Sequence, residues 1–214
     1  MTKQMNALIC AVSMMSTVAY SADQSAWLAR VRGAYLPQEN SQNIRIPNSD
    51  VQHGLYHKKI APEIDLSHFF TPNIALELAI SAGRASVFAD KAQGPNVSLG
   101  NVSILPVSLT AQYYVMTDKI FSPYVGAGAV YNHLYDPSNG PTLSWVSYRK
   151  NNLSPVLQVG TNMKINQSWS LNVDVKKAFI RTHVDALQTS GNYISEGIKI
   201  NPWAIGFGVG YSFG

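Results

Sequence analysis

Cysteine is all but missing from this 214-residue chain, which holds one, Cys10. A disulfide scaffold is thereby excluded. Charge is scarce too: 13% of residues, with 16 Lys and Arg against 12 Asp and Glu. A net +4 of this kind supplies no basic stripe for nucleic acid, so no nucleic-acid partner is expected. Nowhere is there an apolar run of the ~18 residues that a transmembrane helix needs. Any crossing of a membrane must then be made by strands. HExxH, cysteine clusters and a Gly-x-Ser-x-Gly turn are also missing, so neither a metal, a cofactor nor a catalytic role is expected.

The lone cysteine sits in a segment expected to be removed. Residues 1–6 carry Lys3, residues 7–20 form an uncharged and largely apolar run, and "AYSA" at 19–22 supplies small residues before Asp23. This is the pattern of an export signal over residues 1–21, cleaved after Ser21 or Ala22. The mature chain, 22–214, then has no cysteine, and loss of Lys3 takes the charge from +4 to +3. An exported chain without disulfides must hold its fold by another device, such as a closed sheet.

What the chain does have is alternation. In "WLARVRGAY" Trp27, Ala29, Val31, Gly33 and Tyr35 share one face and Arg30 and Arg32 the other. In "NIALELAIS" Ile74, Leu76, Leu78 and Ile80 oppose Ala75, Glu77, Ala79 and Ser81. The same period of two runs through "SLTAQYYV", "SPVLQVGTNMKI", "WSLNVDVK" and the closing "WAIGFGVGYSF". With "APEIDLSHFF" and "FSPYVGAGAVYNHLY" the sequence predicts eight strands, each of a length that crosses a bilayer at a tilt. Their connections alternate. Residues 37–60, 84–101, 136–148 and 181–199 read as long loops, and 71–73, 117–119 and 166–168 as tight turns. The fold class expected is all-β: an eight-stranded antiparallel up-and-down transmembrane barrel with its long loops at one end.

Alternation suits both a soluble lipocalin-like barrel, apolar face inward around a ligand, and a membrane barrel, apolar face outward to lipid. The aromatics help to choose between them. Trp27, Trp169, Phe70, Tyr113, Phe121, Tyr211 and Phe213 fall near the turn end, and Tyr35, Tyr131, Tyr135, Trp145 and Trp203 near the loop end. Two such belts suit the two headgroup levels of a bilayer. The apolar face is therefore expected outside and the polar face in the lumen. That places Arg30, Arg32, Lys164 and Lys176 among Glu63, Asp65, Glu77 and Asp174, a balanced set expected to pair as an ion network. Eight strands leave an interior barely wide enough for side chains, so a wide aqueous pore is excluded. Gly126, Gly128, Gly160, Gly206, Gly208 and Gly210 share that face, where they either make room for long side chains or ease curvature.

Taken together, "WLARVRGAYLPQ", "FFTPNIALELAI", "LPVSLTAQYYV", "SPYVGAGAVYNHLY", "WSLNVDVKKAFIRTHVD" and "NPWAIGFGVGYSF" resemble the outer membrane protein W family, which includes proteins similar to alkane-uptake channels. The resemblance implies a monomeric barrel in the outer membrane of a Gram-negative bacterium, passing small hydrophobic solutes. It implies an apolar funnel open to the outside and a lateral exit into the membrane above a plugged lumen. Pro37 at the loop end of the first strand has no N–H to pair and could open such a gap, or merely end the strand. Leu36, Leu55, Tyr56, Trp145 and Tyr148 are the funnel candidates. Tyr211 and Phe213 match the aromatic ending that the outer-membrane assembly machinery reads as an insertion signal, although Gly214 follows where the family pattern puts Phe last.

Three other readings stay open. Some eight-stranded barrels modify lipid A, and His133, His183, Asp185 and Ser190 stand at heights suited to such a site. His53 and His57 share the spacing of a helical turn but lack a third ligand. A structural or receptor barrel could instead meet lipopolysaccharide through His57, Lys58, Lys59, Arg149, Lys150, Arg181 and Lys199.

Overall fold

The computed structural model describes residues 26–37, 51–57, 60–91, 97–116, 120–139, 143–148, 151–188 and 193–214, with side chains over 26–37, 60–83, 103–116, 120–135, 151–180 and 201–214. The export signal expected at 1–21 lies outside these residues. Thirteen strands follow in chain order: β1 (Trp27–Tyr35), β2 (Val51–His57), β3 (Ile60–Phe69), β4 (Ile74–Ser81), β5 (Gly83–Lys91), β6 (Val97–Tyr114), β7 (Phe121–Asn139), β8 (Leu143–Tyr148), β9 (Asn151–Lys164), β10 (Trp169–Ala178), β11 (Ile180–Gln188), β12 (Tyr193–Ile200) and β13 (Trp203–Phe213).

Eight of them close a barrel. The antiparallel pairings run β1–β3–β4–β6–β7–β9–β10–β13, and β13 returns to β1 with Arg32 opposite Gly208. The other five correct the reading of the long connections as loops. β2 pairs with β5 and β5 with the upper part of β6, while β11 pairs with both β12 and β8. A backbone leaving the barrel must still satisfy its N–H and C=O groups, and continuing the ladder does so. These extensions lack the apolar alternation that marks a lipid-facing strand, which is why they read as loops.

Burial is inverted relative to a soluble protein. Val31 is 67% exposed and Ile64 57%, whereas Arg30 and Glu77 are 1% and 0% exposed. Alternation along each stave thus turns apolar side chains outward and packs polar ones inside, as expected for a barrel in lipid. Outward aromatics form two belts: Tyr113, Phe121, Trp169, Tyr211 and Phe213 toward the turns, and Tyr35, Tyr131, Tyr135, Phe179 and Trp203 toward the loops. Trp169 packs on Tyr211 at 5.0 Å, and the Lys177 ammonium lies 4.3 Å over the Trp203 ring.

The turns are built by side chains that imitate backbone. Thr71 Oγ1 accepts from the Ile74 N–H at 3.0 Å, and Asn166 Oδ1 accepts from the Trp169 N–H at 2.8 Å. The turn expected at 117–119 lies outside the described residues. Inside the turn end, Phe69, Ala75, Tyr114 and Tyr124 form a small apolar cluster that narrows the lower mouth.

The outward face sets one prediction. Val173 lies midway along β10, 43% exposed, between the belts marked by Trp169 and Trp203. Val173→Arg should cost about 2–4 kcal/mol in reversible urea unfolding from lipid vesicles. A loss below about 1 kcal/mol would place that face outside the hydrocarbon.

Candidate functional site

Four staves converge their charges on one layer of the lumen. Arg30, on β1, donates from Nε to Asp65 Oδ1 at 2.6 Å and from Nη2 to Glu77 Oε2 at 2.5 Å and Ser67 Oγ at 2.8 Å. One turn of alternation further on, Arg32 Nη2 lies 2.7 Å from Glu63 Oε1 and 2.9 Å from Asp65 Oδ2, with Nη1 3.6 Å from Asp174. Lys176, on β10, reaches Glu63 and Glu77 at 3.1 Å each. Glu77 is the hub: it holds Arg30, Arg32 and Lys176 together while its side chain is wholly buried.

Uncharged groups complete the layer. Gln112 and Gln158 donate to Glu77, and Gln158 also donates to Asp174 Oδ2 at 2.7 Å. The Tyr124 hydroxyl donates to Asp174 at 2.9 Å, and the Arg30 guanidinium lies 5.7 Å over the Tyr124 ring. Buried charge is tolerated where it is paired, and each of the seven charged groups here has an opposite charge within 3.6 Å, although Arg32 Nε and Asp65 Oδ2 gain no hydrogen bond. Alternation placed Gln112, Tyr114 and Gln158 on the polar face. Alternation placed Asn172 on that face too, whereas Tyr124 was not singled out; the two meet across the layer, Asn172 Nδ2 donating to the Tyr124 hydroxyl and to Asn162 Oδ1.

The inward glycines serve two ends. A Cβ at Gly206 would meet Arg32 Cδ at 3.5 Å, leaving room for a plug side chain, and one at Gly160 would meet both the Tyr124 hydroxyl at 2.5 Å and the Val173 backbone oxygen at 2.8 Å, so that Gly160 serves both ends. At Gly128 and Gly208 a Cβ would instead collide with the neighbouring strand's backbone, at Leu109 O and Val31 O respectively. There glycine permits close approach of strands where the wall bends.

Lys164 stands apart from the other seven charged residues. It is exposed at the turn end of β9, below the cluster. The reason is strand tilt. From Arg30 the hydrogen-bonded row passes through Gly210 and Ser170 to reach β9 at Lys164, but in the other direction it passes Asp65, Ala79, Ser108 and Val130 to reach β9 at Ser154, well toward the loop end. Alternation assigns Lys164 its face, whereas the stagger of a closed barrel assigns its height.

Above the plug the wall keeps its register but loses two ladder pairs. β4 pairs with β6 up to Ile80 opposite Val107, and β5 resumes on β6 with Gly83 opposite Ile104. Between these, Ser81 and Ala82 face Leu105 and Pro106 without a ladder pair. Pro106 has no N–H to give to β4, while the Ala82 N–H continues the ladder to β3, donating to Pro62 O at 3.2 Å. The sequence reading missed Pro106, although a proline inside the alternating "ILPVSL" was the available signal. At Pro37 the wall is low for a different reason: pairing of β1 to both neighbours ends at Tyr35, opposite Ile60 and Ile205, so Leu36 and Pro37 lie half-buried beyond the ladder.

Of the other funnel candidates, Leu55 pairs with Val87 and Tyr56 with Ser86, and Trp145 pairs with Leu187 and Tyr148 with Val184. Their side chains lie outside the described residues. His53 and His57 stand on strand β2 rather than a helical turn, and four strand residues span about 13 Å, too far for a shared ion. No trio of His, Cys, Asp or Glu disposed to hold a metal occurs among the described residues. His133 faces outward, its Nδ1 2.9 Å from Asn151 Oδ1, and stacks on Tyr135. His183 and Asp185 lie on β11 and Ser190 is outside the described residues. The loop cations Lys58, Lys59, Arg149 and Lys150 are outside them as well.

The sequence model of the OmpW family matches residues 29–213. The chain is 36% identical over 199 residues to an uncharacterized outer-membrane protein of Sinorhizobium fredii, spanning 92% of this chain and 84% of that one. It is 30% identical over 173 residues to outer membrane protein AlkL of Ectopseudomonas oleovorans, spanning 78% and 71%. Its fold superposes on the crystal structure of outer membrane protein OprG from Pseudomonas aeruginosa with a TM-score of 0.75 over 91% of this chain and 99% of that one, at 18% identity.

Proposed function

Because the chain belongs to the OmpW family of outer-membrane barrels, we propose that it admits small hydrophobic molecules from outside and releases them sideways into the membrane. The observation that supports this reading is a buried charged layer across the lumen below a stretch of wall that lacks two ladder pairs. The charged layer around Glu77 offers an apolar solute no path down the axis, since passage would strip paired charges of their partners. On the loop side of that layer the ladder between β4 and β6 fails at Pro106, and β1 is short at Pro37. A solute entering from the loop end meets the exits before it meets the plug. Export through a cleaved signal at 1–21, insertion directed by Tyr211 and Phe213, and action as a monomer beside lipopolysaccharide belong to the same reading.

Uptake of labelled n-alkane by cells carrying the gene should exceed that of cells without it several-fold, and equal uptake would sink the channel. Ala82→Cys with Leu105→Cys places thiols at facing positions across the break. Oxidation of this pair should slow uptake and reduction should restore it.

A further inference from the structure

Six buried side-chain atoms lack a hydrogen-bond partner among the described residues, and five are accounted for by place. Arg32 Nε, Asp65 Oδ2, Thr110 Oγ1 and Ser170 Oγ lie within the plug, and His68 Nδ1 lies at the turn end against Trp27. The sixth, Asn132 Nδ2, lies elsewhere. Asn132 is on β7, 5% exposed, on the lumen face that alternates with outward Tyr131 and His133. Its register partner on one side is Pro106, the residue at the wall break, and on the other Asn152, whose Oδ1 already accepts from the Ser154 hydroxyl.

Between this amide and the plug the described lumen wall mixes buried Ser108 and Ser154, on either side of Val130, with apolar groups. Ala34, Ala61, Val130 and Val156 are all buried there, on β1, β3, β7 and β9. A buried donor without an acceptor is costly, and its presence beside an exit is explained if a passing molecule supplies the acceptor. We infer that Asn132 donates a hydrogen bond to solute oxygen at the Pro106 break, so that the channel favours apolar molecules bearing one acceptor, such as medium-chain ketones, over the bare hydrocarbon. The inference rests on the channel reading and specifies its solute class. Val130 and Val156 receive the hydrocarbon body, and the orphaned amide receives the oxygen as the molecule turns toward the gap. No bond is made or broken.

The test uses the full-length barrel in lipid vesicles, with 2-decanone and n-decane as probes. Wild-type protein should pass the ketone faster than the alkane, after subtraction of leakage through protein-free vesicles. Asn132→Leu should lower the ketone-to-alkane ratio about fivefold, the net worth of one neutral hydrogen bond, with alkane passage unchanged or raised. Asn132→Gln, which keeps the donor, should retain most of the preference. An unchanged ratio in Asn132→Leu, or an equal fall in both solutes, would overturn the inference while leaving the channel standing. Passage of neither solute above leakage in the wild type would overturn the channel itself. Should Asn132→Leu not fold, as judged by heat-modifiable electrophoretic mobility, the wild-type barrel in micelles decides: the Asn132 side-chain amide resonance should move on titration with the ketone and not with the alkane. A resonance that stays still overturns the inference.

Discussion

Replacing Glu77 with leucine should destabilise the barrel by about 3–5 kcal/mol, the cost of leaving buried charge without its partner. Glu77 touches Arg30 at 2.5 Å, Arg32 at 3.4 Å and Lys176 at 3.1 Å, and its side chain has no contact with solvent. Leucine fills a similar volume, so the loss is electrostatic rather than a cavity. Glu63, Asp65 and Asp174 still equal the three cations in number, but Arg30 Nη2 loses its carboxylate and Gln112 and Gln158 can no longer link the layer through Glu77, so the cost is lost contacts rather than net charge. Glu77→Gln should cost less than leucine, since an amide oxygen can still accept from Arg30. Reversible urea unfolding in vesicles measures both variants. A loss under about 1 kcal/mol for leucine would mean that the plug is solvated, contrary to the burial described here.

Gly208→Val should be still more severe at the level of assembly, because it strikes the seam where the last strand meets the first. Gly208 pairs with Arg32 across β13 and β1. A Cβ there would collide with Val31 O and stand 2.8 Å from Arg32 Cα and 2.5 Å from Arg32 Cγ. The side chain could shift, but the backbone could shift only by opening the seam, at a cost of about 3 kcal/mol or more. Gly206→Ala, two residues away on the same face, meets nothing closer than 3.5 Å and should insert normally. The fraction of chain that shows the compact, heat-modifiable form on a gel distinguishes them. Equal folded fractions would show that the seam tolerates a side chain at both positions.

The contrast between these glycines marks where sequence reading stops. Alternation placed Gly206 and Gly208 on the same inward face, and it left open whether they make room or ease curvature. Both roles occur, at different positions, because what a Cβ would meet depends on the neighbouring strand. Eight staves, the tight turns at 71–73 and 166–168 and two aromatic belts were legible for the same reason that the paired charges were: each is a local pattern of period two bounded by turn residues. The extensions β2, β5, β8, β11 and β12 were not legible, since strands outside lipid need not alternate apolar with polar.

The candidate site was half-legible. Arg30, Arg32, Glu63, Asp65, Glu77, Asp174 and Lys176 converge as alternation predicted, whereas Lys164 shares their face and not their height. Pro106 and Asn132 lie 26 residues apart in the sequence, and only the β6–β7 register sets a proline that lacks a pair on its β4 side beside an amide nitrogen without a hydrogen-bond partner. By itself, then, the sequence determined that this chain crosses a membrane as strands and which side of each strand meets lipid, because the face a residue presents follows from its parity in the strand. Only the tertiary structure decided what stands at each level of the lumen and where the wall breaks. Height in a closed barrel comes from register accumulated round all eight staves, which no local stretch of sequence contains.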